Sequence, residues 1–154
     1  MTGTVEARLR ELNLELPDAS APIANYVPHL ITGNQLYISG QVPLGPDGLA
    51  FQGKVGVEFD VDQGQQAARL CALNILAQAR DALGDLDRIE RCLRLGGFVN
   101  AASDFTDHPM VVNGASDLIV EVLGDRGRHT RFAVGVSGLP RGAAVEVDAQ
   151  FAIL

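Results

Sequence analysis

The sequence has few cysteines, few aromatic residues and no long apolar run. Its two cysteines, Cys71 and Cys92, cannot build a disulfide framework and form no CxxC pair, so we expect reduced, buried thiols. No segment approaches the ~20 apolar residues needed to span a bilayer, and the N-terminal residues lack the apolar core of a secretory signal. We therefore expect a cytoplasmic protein with no membrane partner.

Net positive charge is also absent. The formal net charge is -7, so no overall field attracts nucleic acid. Aromatic residues make up only 5% of the chain, which leaves few rings to stack on RNA bases. A local basic patch is available from Arg126, Arg128, His129, Arg131 and Arg141. RNA binding is therefore a minor alternative.

Several signatures of catalysis are missing as well. The sequence contains no GxSxG elbow, no P-loop and no GxGxxG loop, which argues against a serine hydrolase and a nucleotide-binding protein. The histidines at positions 29, 108 and 129 lack the spacing of a zinc site. We predict no metal site.

The composition favours one domain, because 154 residues that are 47% hydrophobic suit a single core over 1–154. Helical spacing predicts a short N-terminal helix over about 4–13 and a long helix from residue 60 or 62 to 83, ended by Gly84. Gly33 and Asn34 predict a tight hairpin turn, and 91–100 alternates like a strand. Asp107 and Pro109 predict the start of a second long helix.

This order of elements predicts an α+β domain: a single-layer mixed β-sheet with two long helices on one face and a hairpin at the C-terminus. The chain is too short to cover the second face of the sheet with helices. A homo-oligomer would cover that face.

The most informative segment runs from Arg131 to Asp148, where two alternating runs flank a Leu-Pro-Arg-Gly turn and predict an antiparallel hairpin. Arg131 shares a face with small residues, which suggests a hollow with a clamp for a carboxylate or phosphate at one end. Pairing about the turn puts Arg131 opposite Gln150 and Glu146 opposite Gly135. Both charges would then share a face at about 13 Å, too far for a small ligand, so we hypothesise a cleft completed by a neighbouring subunit.

Three motifs resemble the Rid (reactive intermediate deaminase, or YjgF) family over nearly the whole chain. They are YISGQVP from Tyr37, DFTDHPMVVNGASD from Asp104, and Arg131 followed by LP and then VEV. The resemblance implies a chorismate-mutase-like fold, a homotrimer with sites between subunits, and no cofactor. It also implies hydrolysis of reactive 2-imino acids or their enamine tautomers to 2-oxo acids and ammonia.

The resemblance assigns roles to individual residues. Arg131 would bind the substrate carboxylate, and Glu146 would orient the attacking water. The substrate-binding positions would be Tyr26, Ser39, Gly40, Asn113 and Ala133. Active relatives carry serine and cysteine directly after the arginine, whereas this chain has Phe132 and Ala133, which we expect to change the substrate size.

The chain looks like a distinct branch of this family, with an N-terminal helix, an enlarged loop from Gly124 to Thr130, and the patterns GRHTR and VNGASD. Two further functions stay open. A non-catalytic trimer that binds or regulates a small carboxylate would use the same arginine. The family's older labels of endoribonuclease and translation inhibitor would require RNA.

Overall fold

The computed structural model of the protein describes residues 3–154, so Met1 and Thr2, the start of the predicted domain, lie outside the described residues. Its helices and strands follow in the order α1 (Thr4–Glu11), β1 (His29–Thr32), β2 (Gln35–Gln41), β3 (Leu44–Gly45), β4 (Gly48–Leu49), α2 (Val61–Leu83), β5 (Ile89–Asn100), α3 (His108–Leu123), β6 (Thr130–Val136) and β7 (Val145–Ile153). Short 3₁₀ turns occupy Leu86–Arg88, Gly124–Gly127 and Pro140–Gly142.

Local signals set both ends of α2 where they were predicted. The Asp60 carboxylate accepts a hydrogen bond from the Gln63 backbone N–H at 2.8 Å, and the Gln63 side chain accepts one from the Asp60 N–H at 3.0 Å. This capping box starts α2, and Gly84 ends it with a φ of 75°. The first helix is shorter than the predicted 4–13, because Asn13 leaves the helical region with a φ of 55°.

Five strands form one mixed sheet in the order β1-β2-β7-β5-β6. Only β5 and β6 run parallel, and every other neighbouring pair is antiparallel. Alternate residues of β7 from Val145 to Ile153 are buried, and α2 and α3 pack on that face of the sheet. The predicted α+β class, with a mixed sheet and two long helices on one face, is confirmed.

The predicted C-terminal hairpin is wrong. Strand β6 pairs in parallel with β5, and β7 pairs with the opposite edge of β5, so β5 lies between the two strands that were expected to touch. The connection over 137–144 contains a 3₁₀ turn in which Arg141 has a φ of 58°. It crosses the end of β5, which a tight two-residue turn could not do.

Because β5 lies between β6 and β7, the prediction that Arg131 and Glu146 share one face of the sheet is wrong. Arg131 registers with Leu95 of β5, and Leu95 registers with Ala149 rather than with Gln150. A shift of one residue exchanges the two faces of a strand. Arg131 therefore lies on the helix side of the sheet, and Glu146 does not share its face.

The second face of the sheet carries no helix within the described chain. Phe98 and Phe132 pack edge to face there with their ring centroids 5.2 Å apart, and the Arg94 guanidinium lies 4.8 Å from the Phe132 ring centroid. Val134 is 43% exposed and Tyr37 is 41% exposed. The expectation that a second copy covers this face stays a prediction.

Candidate functional site

The predicted site residues gather at two places. Arg131, Asn113 and Ala133 lie where β6 meets α3, and we call this the arginine cluster. Glu146, Gly40 and Tyr26 line a cleft beside β2 and β7, and we call this the glutamate cleft.

Helix α3 holds the Arg131 guanidinium. Its Nη1 donates to Asn113 Oδ1 at 2.8 Å and to Ser116 Oγ at 3.1 Å, and its Nη2 donates to the Pro109 carbonyl at 3.3 Å. Asn113 and Ser116 are three residues apart, so they lie on one face of the helix and point at the same partner. The guanidinium has five N–H donors, and these bonds leave Nε–H and one Nη2–H for a ligand.

The charge of Arg131 is not neutralised within residues 3–154. All of its hydrogen-bond partners are neutral oxygens, and no carboxylate of the described chain forms a salt bridge with it. A guanidinium fixed by neutral acceptors keeps its full attraction for an anion. The arginine cluster is therefore suited to bind a carboxylate through two parallel hydrogen bonds.

The hollow expected beside Arg131 is partly filled. Ala133 is half-buried and packs against the core, as a small wall next to the arginine. Two residues further along β6, a Cβ added at Gly135 would collide with the His108 imidazole. His108, the first residue of α3, therefore fills the space that the small residues were expected to leave at that end.

The glutamate cleft has a volume of about 110 Å³. Strand β2 is irregular between Ile38 and Gln41, and this bend brings Gly40 against Glu146. A Cβ added at Gly40 would collide with Glu146 Oε1, so glycine is needed for the carboxylate to sit there.

The environment of Glu146 disfavours its charged form. Burial raises the pKa of its carboxyl group, and the nearby Asp148 carboxylate raises it further. Neither carboxylate belongs to a salt bridge within the described residues. A carboxyl group whose pKa is raised toward neutrality is suited to exchange protons.

The remaining predicted residues have different surroundings. Tyr26 is 48% exposed at the edge of the glutamate cleft. Ser39 does not line this cleft, because its hydroxyl donates to the Val27 carbonyl at 2.8 Å. That bond ties the segment after Tyr26 to β2, so Ser39 supports the cleft from outside.

The arginine cluster and the glutamate cleft are not brought together in one chain. Arg131 registers with Leu95 and Glu146 registers with Phe98, and these β5 residues are three positions apart and so point to opposite faces. Across residues 3–154, Arg131 has no part in the cleft that Glu146 lines. A site that needs both side chains is incomplete in a single copy.

Two residues at the arginine cluster were not predicted as site residues. Ser116 accepts from Arg131, and the Ser116 hydroxyl lies 2.9 Å from His129 Nε2. The spacing of Asn113 and Ser116 on one helix face could have identified the serine. His129 appeared in the sequence only within the GRHTR pattern and a basic patch, and neither indicated a contact with Ser116.

In the part of the chain that the structure describes, no three or more His, Cys, Asp or Glu side chains are grouped to hold a metal ion. None of the helices between residues 3 and 154 is both long and apolar enough to cross a membrane.

Comparisons with known proteins agree on one family. Residues 6–148 match the family described as "YjgF/chorismate mutase-like, putative endoribonuclease". Protein TCP17 of Trypanosoma cruzi is 50% identical over 96% of this chain and 93% of its own length. The chain therefore belongs to the YjgF family, which is the Rid family that its motifs resemble.

Two solved structures extend the similarity to the fold. Protein Atu1372 of Agrobacterium tumefaciens, described as of unknown function, is 50% identical with a TM-score of 0.91 over 97% of this chain and 92% of its own. A "putative endoribonuclease" from Shewanella oneidensis is 38% identical with a TM-score of 0.95 over 98% of this chain and 100% of its own.

Proposed function

We propose that this protein hydrolyses reactive 2-imino acids and their enamine tautomers to 2-oxo acids and ammonia. The observation that carries the proposal is the Arg131 guanidinium, which α3 holds through neutral acceptors while donors for a carboxylate remain free. Membership of the Rid family supports the same chemistry. An imine is activated toward water, so orientation and one acid-base group suffice without a cofactor.

Arg131 and Glu146 have different roles in the proposed reaction. Nε–H and the free Nη2–H of Arg131 bind the carboxylate and fix the orientation of the C=N carbon. Glu146 accepts a proton from water as the new C–O bond forms, and it passes the proton to nitrogen. In the resulting carbinolamine, Glu146 takes the hydroxyl proton and delivers it to the amino nitrogen, so the C–N bond breaks as the C=O bond forms, ammonia leaves and a 2-oxo acid remains.

We place the complete site between two copies of the chain. Arg131 and Glu146 lie on opposite faces of one sheet, so the arginine cluster of one copy must meet the glutamate cleft of another. Strand β6 is an edge strand and carries the arginine to the rim of the sheet. A homotrimer with three equivalent contacts would use each half-site once.

RNA is a poorer fit for the same surface. Arg126 donates to the Ile89 carbonyl at 2.8 Å, and Arg128 pairs with Asp125 at 3.4 Å. Arg141 lines the glutamate cleft, whereas Arg131 lies against α3. The arginines that a basic patch would need are therefore separated or already paired, so their geometry does not favour RNA binding.

The test generates imino acids in solution with an amino-acid oxidase or dehydratase and follows their disappearance. The wild-type protein should accelerate hydrolysis, and Arg131→Ala should match the rate without protein. Arg128→Ala is the matched control, since this arginine is 72% exposed, and it should keep full activity. A wild type that behaves like buffer across several side chains overturns the proposal.

A second variant separates an enzyme from a protein that only binds carboxylates. Glu146→Gln removes the proton acceptor and keeps the size of the side chain. An enzyme should lose turnover in this variant and retain carboxylate binding. Unchanged imine consumption in Glu146→Gln would show that Glu146 plays no part in proton transfer.

A further inference from the structure

The loop from Gly124 to Thr130 is fixed to its neighbours at several points. Arg126 donates to the Ile89 carbonyl at 2.8 Å, and the Thr130 hydroxyl donates to the Leu93 carbonyl at 2.8 Å, so both ends are tied to β5. A Cβ added at Gly127 would lie 2.5 Å from the Ile119 carbonyl oxygen. The loop is therefore seated directly on the backbone of α3.

The seated loop places His129 beside the arginine cluster. His129 Nδ1 lies 2.5 Å from the Gly127 carbonyl oxygen, an atom that can only accept, so Nδ1 carries the proton. In the neutral ring Nε2 is then an acceptor, and it lies 2.9 Å from Ser116 Oγ. Burial lowers the pKa of His129, the hydrogen bond to Gly127 opposes this, and the Arg131 charge lowers the pKa again, so the net shift favours this neutral ring.

These contacts define the direction of every hydrogen bond up to the guanidinium. The Ser116 hydroxyl donates to His129 Nε2, so its oxygen lone pairs face Arg131. Arg131 Nη1 then donates to Ser116 Oγ at 3.1 Å. His129 thus determines where the serine proton points, and the serine oxygen determines where one edge of the guanidinium points.

We infer that His129 and Ser116 are positioning residues that orient Arg131 to receive a substrate carboxylate, and that this is the role of the Gly124–Thr130 loop. The inference rests on the proposed function, because it assumes that Arg131 binds a carboxylate. The VNGASD pattern supplies Asn113 and Ser116, and the GRHTR pattern supplies His129. Both patterns then serve to orient Arg131. A guanidinium held in place loses less conformational entropy when it binds a ligand.

The test measures binding of 2-oxobutanoate by NMR titration and the KM and kcat of imine hydrolysis. Ser116→Ala removes one hydrogen bond to the charged guanidinium and should weaken binding about tenfold. His129→Phe should have a similar effect, because the serine proton is then no longer directed away from Arg131. The double variant should bind no more weakly than either single variant, because both interrupt the same chain of bonds. KM should rise more than kcat falls.

Two further variants separate positioning from a general loss of structure. His129→Gln keeps an acceptor near the position of Nε2 and should restore affinity to within about threefold of wild type. Arg128→Ala changes the same loop at an exposed side chain whose one partner among residues 3–154 is Asp125, and it should bind like wild type. If His129→Phe does not fold, Ser116→Ala on α3 still tests the same bond.

The outcomes distinguish this inference from the proposed function. Failure of wild-type protein to bind 2-oxobutanoate or to turn over imines would remove the proposed function. If Arg131→Ala abolishes binding while Ser116→Ala and His129→Phe bind at the wild-type level, the positioning role alone is overturned. Additive losses in the double variant would also overturn it, since the two residues would then act separately.

Discussion

Replacing Arg131 with lysine tests the arginine cluster without removing its charge. The substitution exchanges a planar fork of five N–H donors for a single ammonium group on a flexible stem. The bonds that locate the guanidinium, to Asn113 at 2.8 Å and to Ser116 at 3.1 Å, cannot all be kept by an ammonium that also contacts a ligand.

The magnitude follows from the donors that a ligand would use. Nε–H and one Nη2–H of Arg131 have no partner among the described residues, so a carboxylate would gain two charge-assisted hydrogen bonds. Lysine retains the charge and about one such bond, so the loss is one bond and the parallel geometry. At about 1.5–3 kcal/mol per bond to a charged group, Arg131→Lys should weaken carboxylate binding roughly tenfold to 150-fold.

The assay is a titration with 2-oxobutanoate, accompanied by urea unfolding of each variant. Arg131 is only partly buried, so water can replace its lost partners, and unfolding should change by about 1 kcal/mol or less. Arg128→Lys, an exposed exchange of the same kind, is the control. Affinity in Arg131→Lys within about threefold of wild type would refute a bidentate clamp and would leave only a charge effect.

Three further predictions concern protonation and packing. A general base must be ionised, so turnover should fall as the pH drops through the raised pKa of Glu146. Asp148→Asn should lower that pKa and move the acid limb of the pH-rate profile to lower pH. An unmoved limb would contradict the repulsion between the Glu146 and Asp148 carboxylates. Burial raises the pKa of the Cys71 thiol, so iodoacetamide should label it only after urea unfolding, and rapid labelling of the native protein would contradict its burial. Gly114→Ala would drive a Cβ into the backbone of α2 and should lower the free energy of unfolding by about 1–3 kcal/mol, whereas Gly138→Ala, which meets open space, should leave it unchanged.

Features that depend on neighbouring residues could be predicted from the sequence. The start of α2 near Asp60, its stop at Gly84 and the turn at Gly33 are each defined by a few adjacent residues, and all lie where the sequence predicted them. Their energies come from local backbone conformation and hydrogen bonds. The α+β class followed from the order of these elements.

The order of the strands depends on distant residues and was partly mispredicted. Alternation in β6 and β7 is compatible with a hairpin, but it is equally compatible with two strands on either side of a third. The twelve-residue strand β5 fills that place. Its connection to β6 through α3 forms a βαβ unit, for which parallel pairing is the rule.

The sequence proposes candidate site residues but does not define their geometry. Arg131 was proposed because a long cation among small residues is unusual on a strand, whereas its 2.8 Å hydrogen bond to Asn113 is visible only in the structure. The face shared with Glu146 was wrong because the register was off by one residue once β5 intervened. The corrected register gives a stronger reason to expect a second copy, since the two side chains lie on opposite faces of the sheet.

Co-expression of Arg131→Ala and Glu146→Gln chains tests the composite site most directly. Each variant alone should be inactive, because every site lacks one of the two side chains. In a ring where Arg131 of one copy meets Glu146 of the next, random mixing leaves about a quarter of the sites with both native residues, so about a quarter of wild-type activity should return. A mixed oligomer, verified by mass spectrometry, that stays as inactive as its parents would contradict a site shared between copies.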